Sequence, residues 1–336
     1  MRVLVLGGTG LISTPIVRRL LATGHEPVLF NRGKTPSRLD GDVECIAGDR
    51  QDFEVFQRAI AGTEFDAVID MITFDPRTAA HAVEVFQDRV QHYVFCSTVC
   101  VYGGPLASIP ADEHEPLRPV SDYGRGKRDA EHVFLTAWQQ SSFPVTIFRP
   151  AHCYGPGAPL LDIWGYNPSL VARIRAGLPI LVPGDGHGLW QPGYIDDVAK
   201  GFAGALGNER TLGRAYNIVG DEIMDWRAFH ERMAQAIGCE PNIVCLTTEQ
   251  LLAGAPTDRS AMLREIFQYH GAYSNAALQT DVPEFTDLVS WEEGVRRTVS
   301  WMDEANVHAP VDAMPWVDEL AGRSQAFLTS LSKTRG

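Results

Sequence analysis

Tyr123 and Lys127 stand four residues apart in the run YGRGK, a spacing that puts both on one face of a helix. An ammonium beside a phenol draws the phenol's pKa down from about 10, so such a pair can pass a proton to or from an alcohol near neutral pH. Further hydroxyls lie upstream in CSTVCVYG, where Ser97 and Thr98 follow an apolar stretch that ends at Cys96. Y-x-x-x-K spacing alone is common by chance. A glycine-rich turn at the N-terminus gives it weight.

Val3–Leu6 is a short apolar run that leads into GGTGLIS, and Ile12, Ile16, Val17, Leu20 and Leu21 then form one helical stripe. Strand, glycine turn and helix, in that order, suit a dinucleotide. Glycine lets the backbone approach a pyrophosphate, whose charge is stabilised by free N–H groups at the helix start. Gly7, Thr9, Gly10, Leu11 and Ile12 are the candidate contacts, with Ser13 where a third glycine is usual. After the second strand, FNRGK carries Asn31 in place of the carboxylate that would accept the ribose 2′-OH and repel a 2′-phosphate. Arg32 and Lys34 could pair with that phosphate, so the cofactor is read as NAD or NADP, with these residues favouring NADP. Asp49 and Arg50, in AGDR after the third strand, are candidates for the adenine end.

The elements that must position these groups alternate. Val3–Leu6, Pro27–Asn31, Val43–Ala47, Ala67–Asp70, His92–Cys96 and Val145–Phe148 read as strands separated by helix-length segments. One such segment carries the stripe Ala130, Val133, Phe134, Ala137 and Trp138. This predicts an α/β fold, a Rossmann-type doubly wound parallel sheet, with right-handed crossovers. Residues 1–150 are read as the dinucleotide-binding domain and 151–336 mainly as a smaller α/β substrate lobe, parts of which near 190–219 could return to the first sheet. Ser290 and Glu293 form an S-x-x-E signal opening a helix that runs to about Ala305.

Composition excludes several roles. The 336 residues carry 29 Lys and Arg against 42 Asp and Glu, a net charge of −13 that repels phosphate backbones and anionic lipid. Nucleic acid and membrane are therefore not expected partners. No charged leader precedes a long apolar stretch and no apolar run reaches membrane-spanning length, which predicts a soluble cytoplasmic protein. Six cysteines without a C-x-x-C pair read as reduced thiols, and no metal site is expected.

GGTGLIS, STVCVYG, YGRGK, RPAHCYGP, YIDDVA from Tyr194 and YNIVG from Tyr216 together resemble the extended short-chain dehydrogenase/reductase family. This NAD-dependent epimerase/dehydratase type includes UDP-galactose 4-epimerase and nucleotide-sugar 4,6-dehydratases. The likeness covers nearly the whole chain. It implies that Tyr123 exchanges a proton with a substrate hydroxyl, Thr98 hydrogen-bonds the same oxygen, and Lys127 holds the nicotinamide ribose while tuning Tyr123. It also implies a homodimer formed through two sheet-flanking helices.

Departures from the family pattern bear on function. Dehydratases place acidic residues where this chain has Val99 and Cys100, which counts against elimination. In an extended segment Thr98 and Cys100 would point to one side and the thiol would face the substrate, as in one 3,5-epimerase type where a cysteine serves as acid and base. The alternative is a small buried thiol that fills space. Arginines that clamp a diphosphate are missing, with Trp190 and Gln191 at one position and His270 near the other. Arg173, Arg175, Arg259 or Arg264 could replace them. His152, standing where asparagine is usual, and Trp190 are candidate substrate contacts.

These features predict an NAD(P)-dependent epimerase acting, through a transient ketone, on a sugar or sugar-like polyol, nucleotide-linked or free. The alternative is net dehydrogenation or reduction of such a substrate. A non-catalytic dinucleotide-binding regulator or RNA-binding relative is disfavoured by the retention of Thr98, Tyr123 and Lys127 and by the acidic balance.

Overall fold

Strands that read as unbroken apolar runs must be covered on both faces. The computed structural model, which describes residues 1–36 and 38–333, shows this directly: Val3, Leu4, Val5 and Leu6 are all fully buried. The strands are β1 (Arg2–Leu6), β2 (Glu26–Asn31), β3 (Cys45–Ala47), β4 (Ala67–Asp70), β5 (His92–Cys96), β6 (Val145–Pro150) and β7 (Arg214–Ile218). They form one sheet in the order β7-β6-β5-β4-β1-β2-β3, and every neighbouring pair is parallel. β3 is shorter than its sequence suggests, because only Cys45 to Ala47 reach β2, whereas β6 continues to Pro150.

Helix α1 (Ser13–Ala22) covers one face of the sheet. Helices α2 (Phe53–Ile60), α3 (Pro76–Phe86) and α4 (Asp122–Ser141) cover the other, through a core that includes Leu4, Phe30, Phe56, Phe86, Tyr93 and Phe134. Chain order reverses between β1 and β4, which opens a crevice beyond their carboxyl ends.

Residues past 150 build a second core and also return to the first. β7 extends the sheet beyond β6, with Arg214 to Ile218 paired to Thr146 to Pro150. The helix Ile195–Ala205 packs against α1, joining Val198, Ala199 and Phe202 to the core under Val3 and Val5. The second core gathers Trp190, Trp226, Phe229, Met233 and Trp291 around a parallel pair of strands, Pro179–Pro183 and Asn242–Leu246. At the helix Trp291–Glu304, Ser290 Oγ accepts from Glu293 N, but the Glu293 carboxylate pairs with Arg296 and Arg297 instead of reaching back, so only half of the predicted box forms. Among the described residues, no helix is long and apolar enough to cross a membrane, and no group of His, Cys, Asp and Glu could hold a metal ion.

Candidate functional site

Two adjoining cavities run along the carboxyl ends of the strands, one of about 380 Å³ and one of about 600 Å³. Both are lined by Gly7, Gly10, Ile72 and Phe74, so the phosphate loop and the Ile72–Phe74 segment sit where they meet. The smaller cavity is walled by Thr9, Asn31, Arg32, Lys34, Asp49 and Arg50, and the larger by Leu11, Ile12, Thr98, Cys100, Tyr123, Lys127, His152 and Trp190. The candidate catalytic, cofactor and substrate residues, apart from the arginines considered as clamps, therefore line these two cavities. They differ in what their side chains do there.

Gly7 has φ +83°, and a Cβ on it would come within 2.3 Å of Ile72 Cγ2, so no other residue fits without displacing the neighbouring segment. In place of a third glycine, Ser13 donates from Oγ to the Gly7 carbonyl at 2.7 Å and pins the loop across its base. Helix α1 starts with no side-chain cap and no acidic residue in its first turn. Its positive dipole end, beside the cavity, fits a dinucleotide pyrophosphate.

On the smaller cavity, Asn31 Oδ1 accepts from Gly33 N at 2.8 Å and holds the turn that carries the exposed Arg32 and Lys34. Asp49 Oδ1 accepts from Gln51 N, whereas Arg50 turns inward, with its guanidinium 2.8 Å from His81 Nδ1 and stacked on Phe56. The Arg50 charge is thus committed to packing. Arg38, which the sequence reading passed over, donates to the Gly10 carbonyl at 3.3 Å and lies over Gly157, where there is no room for a Cβ.

Tyr123 and Lys127 do share a face of α4, but their expected coupling differs. Lys127 is 1% exposed, and its Nζ donates to the Cys96 carbonyl at 2.6 Å, leaving it 6.0 Å from the centre of the Tyr123 ring. Burial pushes the Lys127 ammonium down. The Tyr123 phenol is raised above its ordinary value, first by burial and then by the nearby Cys96 and Cys100 thiols, while the Thr98 hydroxyl pulls it the other way. Tyr123 nonetheless keeps 46% of its surface open, facing the cavity and Phe74.

Two glycines inside α4 explain how the helix gets so close. Glycine in a helix interior costs about 0.5–1 kcal/mol relative to alanine. Here a Cβ on Gly124 would lie 2.6 Å from the Cys100 carbonyl oxygen, and one on Gly126 would lie 2.2 Å from the Phe74 carbonyl oxygen. The segments touched are themselves fixed by buried polar groups. Asp70 accepts from Ile72 N and Thr73 N, each at 2.9 Å, and from Tyr93 Oη at 2.5 Å. Arg149 joins Glu131 of α4 to Tyr102, whose hydroxyl donates to Asn217 Oδ1 of β7 at 2.7 Å. Tyr102 therefore shapes the loop.

Thr98 does not lead an extended segment. Val99–Val101 form a 3-10 turn capped by Thr98, whose Oγ1 accepts from Cys100 N at 3.2 Å. The same-side argument for Thr98 and Cys100 fails, although both border the larger cavity. Burial pushes the Cys100 thiol up, and the Glu265 carboxylate adds to the shift. Ser97 Oγ, also on this wall, is buried without a partner.

Across the cavity stand His152, Tyr166, Trp190, Met262, Glu265 and Ile266. His152 is pushed down to about 4 by burial, so it is neutral at physiological pH. None of the arginines considered as phosphate clamps lines this cavity. Arg173 pairs with Asp318 and Arg175 with Asp303, while Arg259 reaches Met314 and Arg264 reaches Ser260.

The profile of the NAD dependent epimerase/dehydratase family matches residues 3–219. The chain is similar to the 2′-dehydrokanamycin reductase of Streptomyces kanamyceticus, 29% identical over 74% of this chain and 70% of that one. It is also 29% identical to the chloroplast stem-loop binding protein of 41 kDa b of Arabidopsis thaliana, over 72% of this chain and 65% of that one. Among solved structures, the UDP-glucose 4-epimerase of Thermus thermophilus in complex with NAD superposes with a TM-score of 0.70 at 25% identity, covering 91% of this chain and 100% of that one.

Proposed function

The chain belongs to the NAD dependent epimerase/dehydratase family, and from that premise we propose that it is an NAD(P)-dependent oxidoreductase that reduces a ketone, or oxidises the matching secondary alcohol, of a sugar-like polyol. The observation that carries the reading is the meeting of Thr98, Tyr123 and Lys127 with the phosphate loop on one crevice.

The backbone from Gly7 to Ile12 and the start of α1 would hold the pyrophosphate, with Thr9, Arg32, Lys34 and Asp49 at the adenosine end and Lys127 at the nicotinamide ribose. When bound, the dinucleotide supplies or accepts a hydride. A phenol holds its proton at neutral pH, and burial moves Tyr123 further that way, so Tyr123 would be the group that donates to a ketone oxygen as the carbonyl becomes an alkoxide. Thr98 would hold the same oxygen and fix its distance from Tyr123. Arg32 and Lys34 favour the phosphorylated cofactor, NADP.

Net reduction is preferred over epimerisation because, among the described residues, no cation faces the substrate side of the cavity to retain a diphosphate handle while the sugar turns over. The reductase among the relatives supports this. An epimerase working through a transient ketone is the second reading, favoured by the Thermus enzyme. The acidic balance disfavours the nucleic-acid role that the Arabidopsis relative's name carries for that protein. A cytoplasmic homodimer joined through two sheet-flanking helices completes the proposal.

The test adds NADPH and a panel of keto-sugars to purified protein and follows both absorbance at the nicotinamide band and product. Net reduction consumes NADPH one for one with alcohol formed. An epimerase interconverts stereoisomers at constant absorbance. Neither change with any polyol would overturn the proposal.

A further inference from the structure

The larger cavity has two charged side chains on its wall, Lys127 and Glu265. Lys127 is buried and directed at the Cys96 carbonyl, on the dinucleotide side. Glu265 is the charge on the substrate side. It is partly exposed, and among the described residues it makes no hydrogen bond or ion pair. It lines the same cavity as Cys100, Thr98 and Tyr123. Arg264, its neighbour in sequence, is turned to Ser260.

Glu265 sits on a wide π-helical turn, Leu263–Phe267, in which Gln268 N reaches the Leu263 carbonyl at 3.1 Å. Such turns shift side chains out of α-helical register and recur at functional sites.

A second, independent feature lies on the same wall. Trp190 is 1% exposed and lines the cavity, yet its Nε1–H is buried without a partner. Its ring is held rigidly, stacked on Trp226 at 5.5 Å between centroids and edge-on to Phe267 at 4.6 Å. A buried donor with no acceptor is costly unless something else satisfies it. Tyr166, which is 39% exposed, and His152, 4.8 Å from it between centroids and tilted by 59°, add two more rings to the same wall.

A free carboxylate repels phosphates and carboxylates and forms charge-assisted hydrogen bonds with ammonium groups, while an indole N–H asks for a hydroxyl or ether oxygen. Resting on the oxidoreductase reading above, we propose that the substrate is an amino-substituted polyol, with Glu265 receiving its ammonium group and Trp190 Nε1–H donating to one of its oxygens. The reacting carbon then faces Thr98 and Tyr123. A nucleotide diphosphate sugar is excluded by the same carboxylate.

Calorimetric titration of the NADP-loaded protein with glucosamine, glucose and UDP-glucose tests this. Glucosamine should bind at least about tenfold tighter than glucose, a gain of about 1.4 kcal/mol expected from one charge-assisted contact. Glu265→Gln should abolish that preference without changing NADP affinity. Trp190→Phe, which keeps the stacking, should weaken glucosamine and glucose alike. Equal or undetectable binding of the two sugars, or tighter binding of UDP-glucose, overturns the amino-polyol assignment and leaves the oxidoreductase reading standing. NADP binding, titrated separately, decides that reading: if no dinucleotide binds, it falls.

Discussion

The phosphate loop and the wall opposite it acquire their chemistry in different ways. From Gly7 to Ile12 the proposed cofactor contacts are backbone groups at a helix start, and the sequence needs only glycines in the right places to present them. The opposite wall takes side chains from separate stretches, His152, Tyr166, Trp190 and Glu265, brought together by the packing of the second core. A backbone site is shared wherever the turn recurs. A side-chain wall belongs to one substrate. The difference teaches that cofactor use can be inferred from a local motif, while specificity depends on contacts between distant segments.

The largest effect should come from the boundary between the two regions. Tyr123→Phe removes one oxygen, the proton carrier, and should lower turnover by roughly 100 to 10,000-fold. The dissociation constants of NADP and substrate should stay nearly the same. Steady-state kinetics with parallel binding titrations would check this, and near-normal turnover in the variant would show that proton transfer lies elsewhere. A large loss of NADP affinity would instead mean that the phenol belongs to the cofactor region.

This boundary was the most legible part of the site, and the reason is physical. Strands buried on both faces leave continuous apolar runs, so β1, β2, β4 and β5 could be bounded closely, and the glycine turn and the Y-x-x-x-K spacing are local signals. β7 was harder, because its pairing with β6 joins Arg214 to Thr146 across the intervening lobe. The YGRGK glycines were visible, but their purpose was not: it depends on the carbonyls of Phe74 and Cys100, which belong to other segments. Glu265 carries no motif. It is notable because Arg173 and Arg175 are paired with acids elsewhere, while Arg259 and Arg264 turn to Met314 and Ser260.

A smaller effect would sharpen the comparison at the adenosine end, where two side chains supplement a backbone site. Replacing both Arg32 and Lys34 by alanine should weaken NADP by about tenfold, roughly 1.4 kcal/mol, and leave NAD within a factor of about two. Exposed charges are partly screened, so the difference should shrink as salt is raised. Fluorescence titration of both dinucleotides with the wild type and the double variant reads it. Equal weakening of NAD and NADP would show that these cations hold the turn rather than a 2′-phosphate.

The smallest effect is expected at Cys100, where the sequence left an acid/base role open. A catalytic base must be a thiolate, and the Cys100 thiol is pushed the other way by burial and by the Glu265 carboxylate. Its backbone also turns through a 3-10 segment, so Thr98 does not fix the thiol's direction. Cys100→Ser should therefore keep turnover within about threefold, the few tenths of a kcal/mol typical of replacements away from reacting atoms. In heavy water, neither enzyme should introduce deuterium at the carbon next to the reacting carbonyl, because hydride transfer touches only the carbinol carbon. If wild type does exchange that hydrogen and Cys100→Ser does not, with a loss of rate beyond about 100-fold, the thiol moves a proton after all. Glu265 would then have to be read as the group that orients the thiol rather than as the seat of an ammonium.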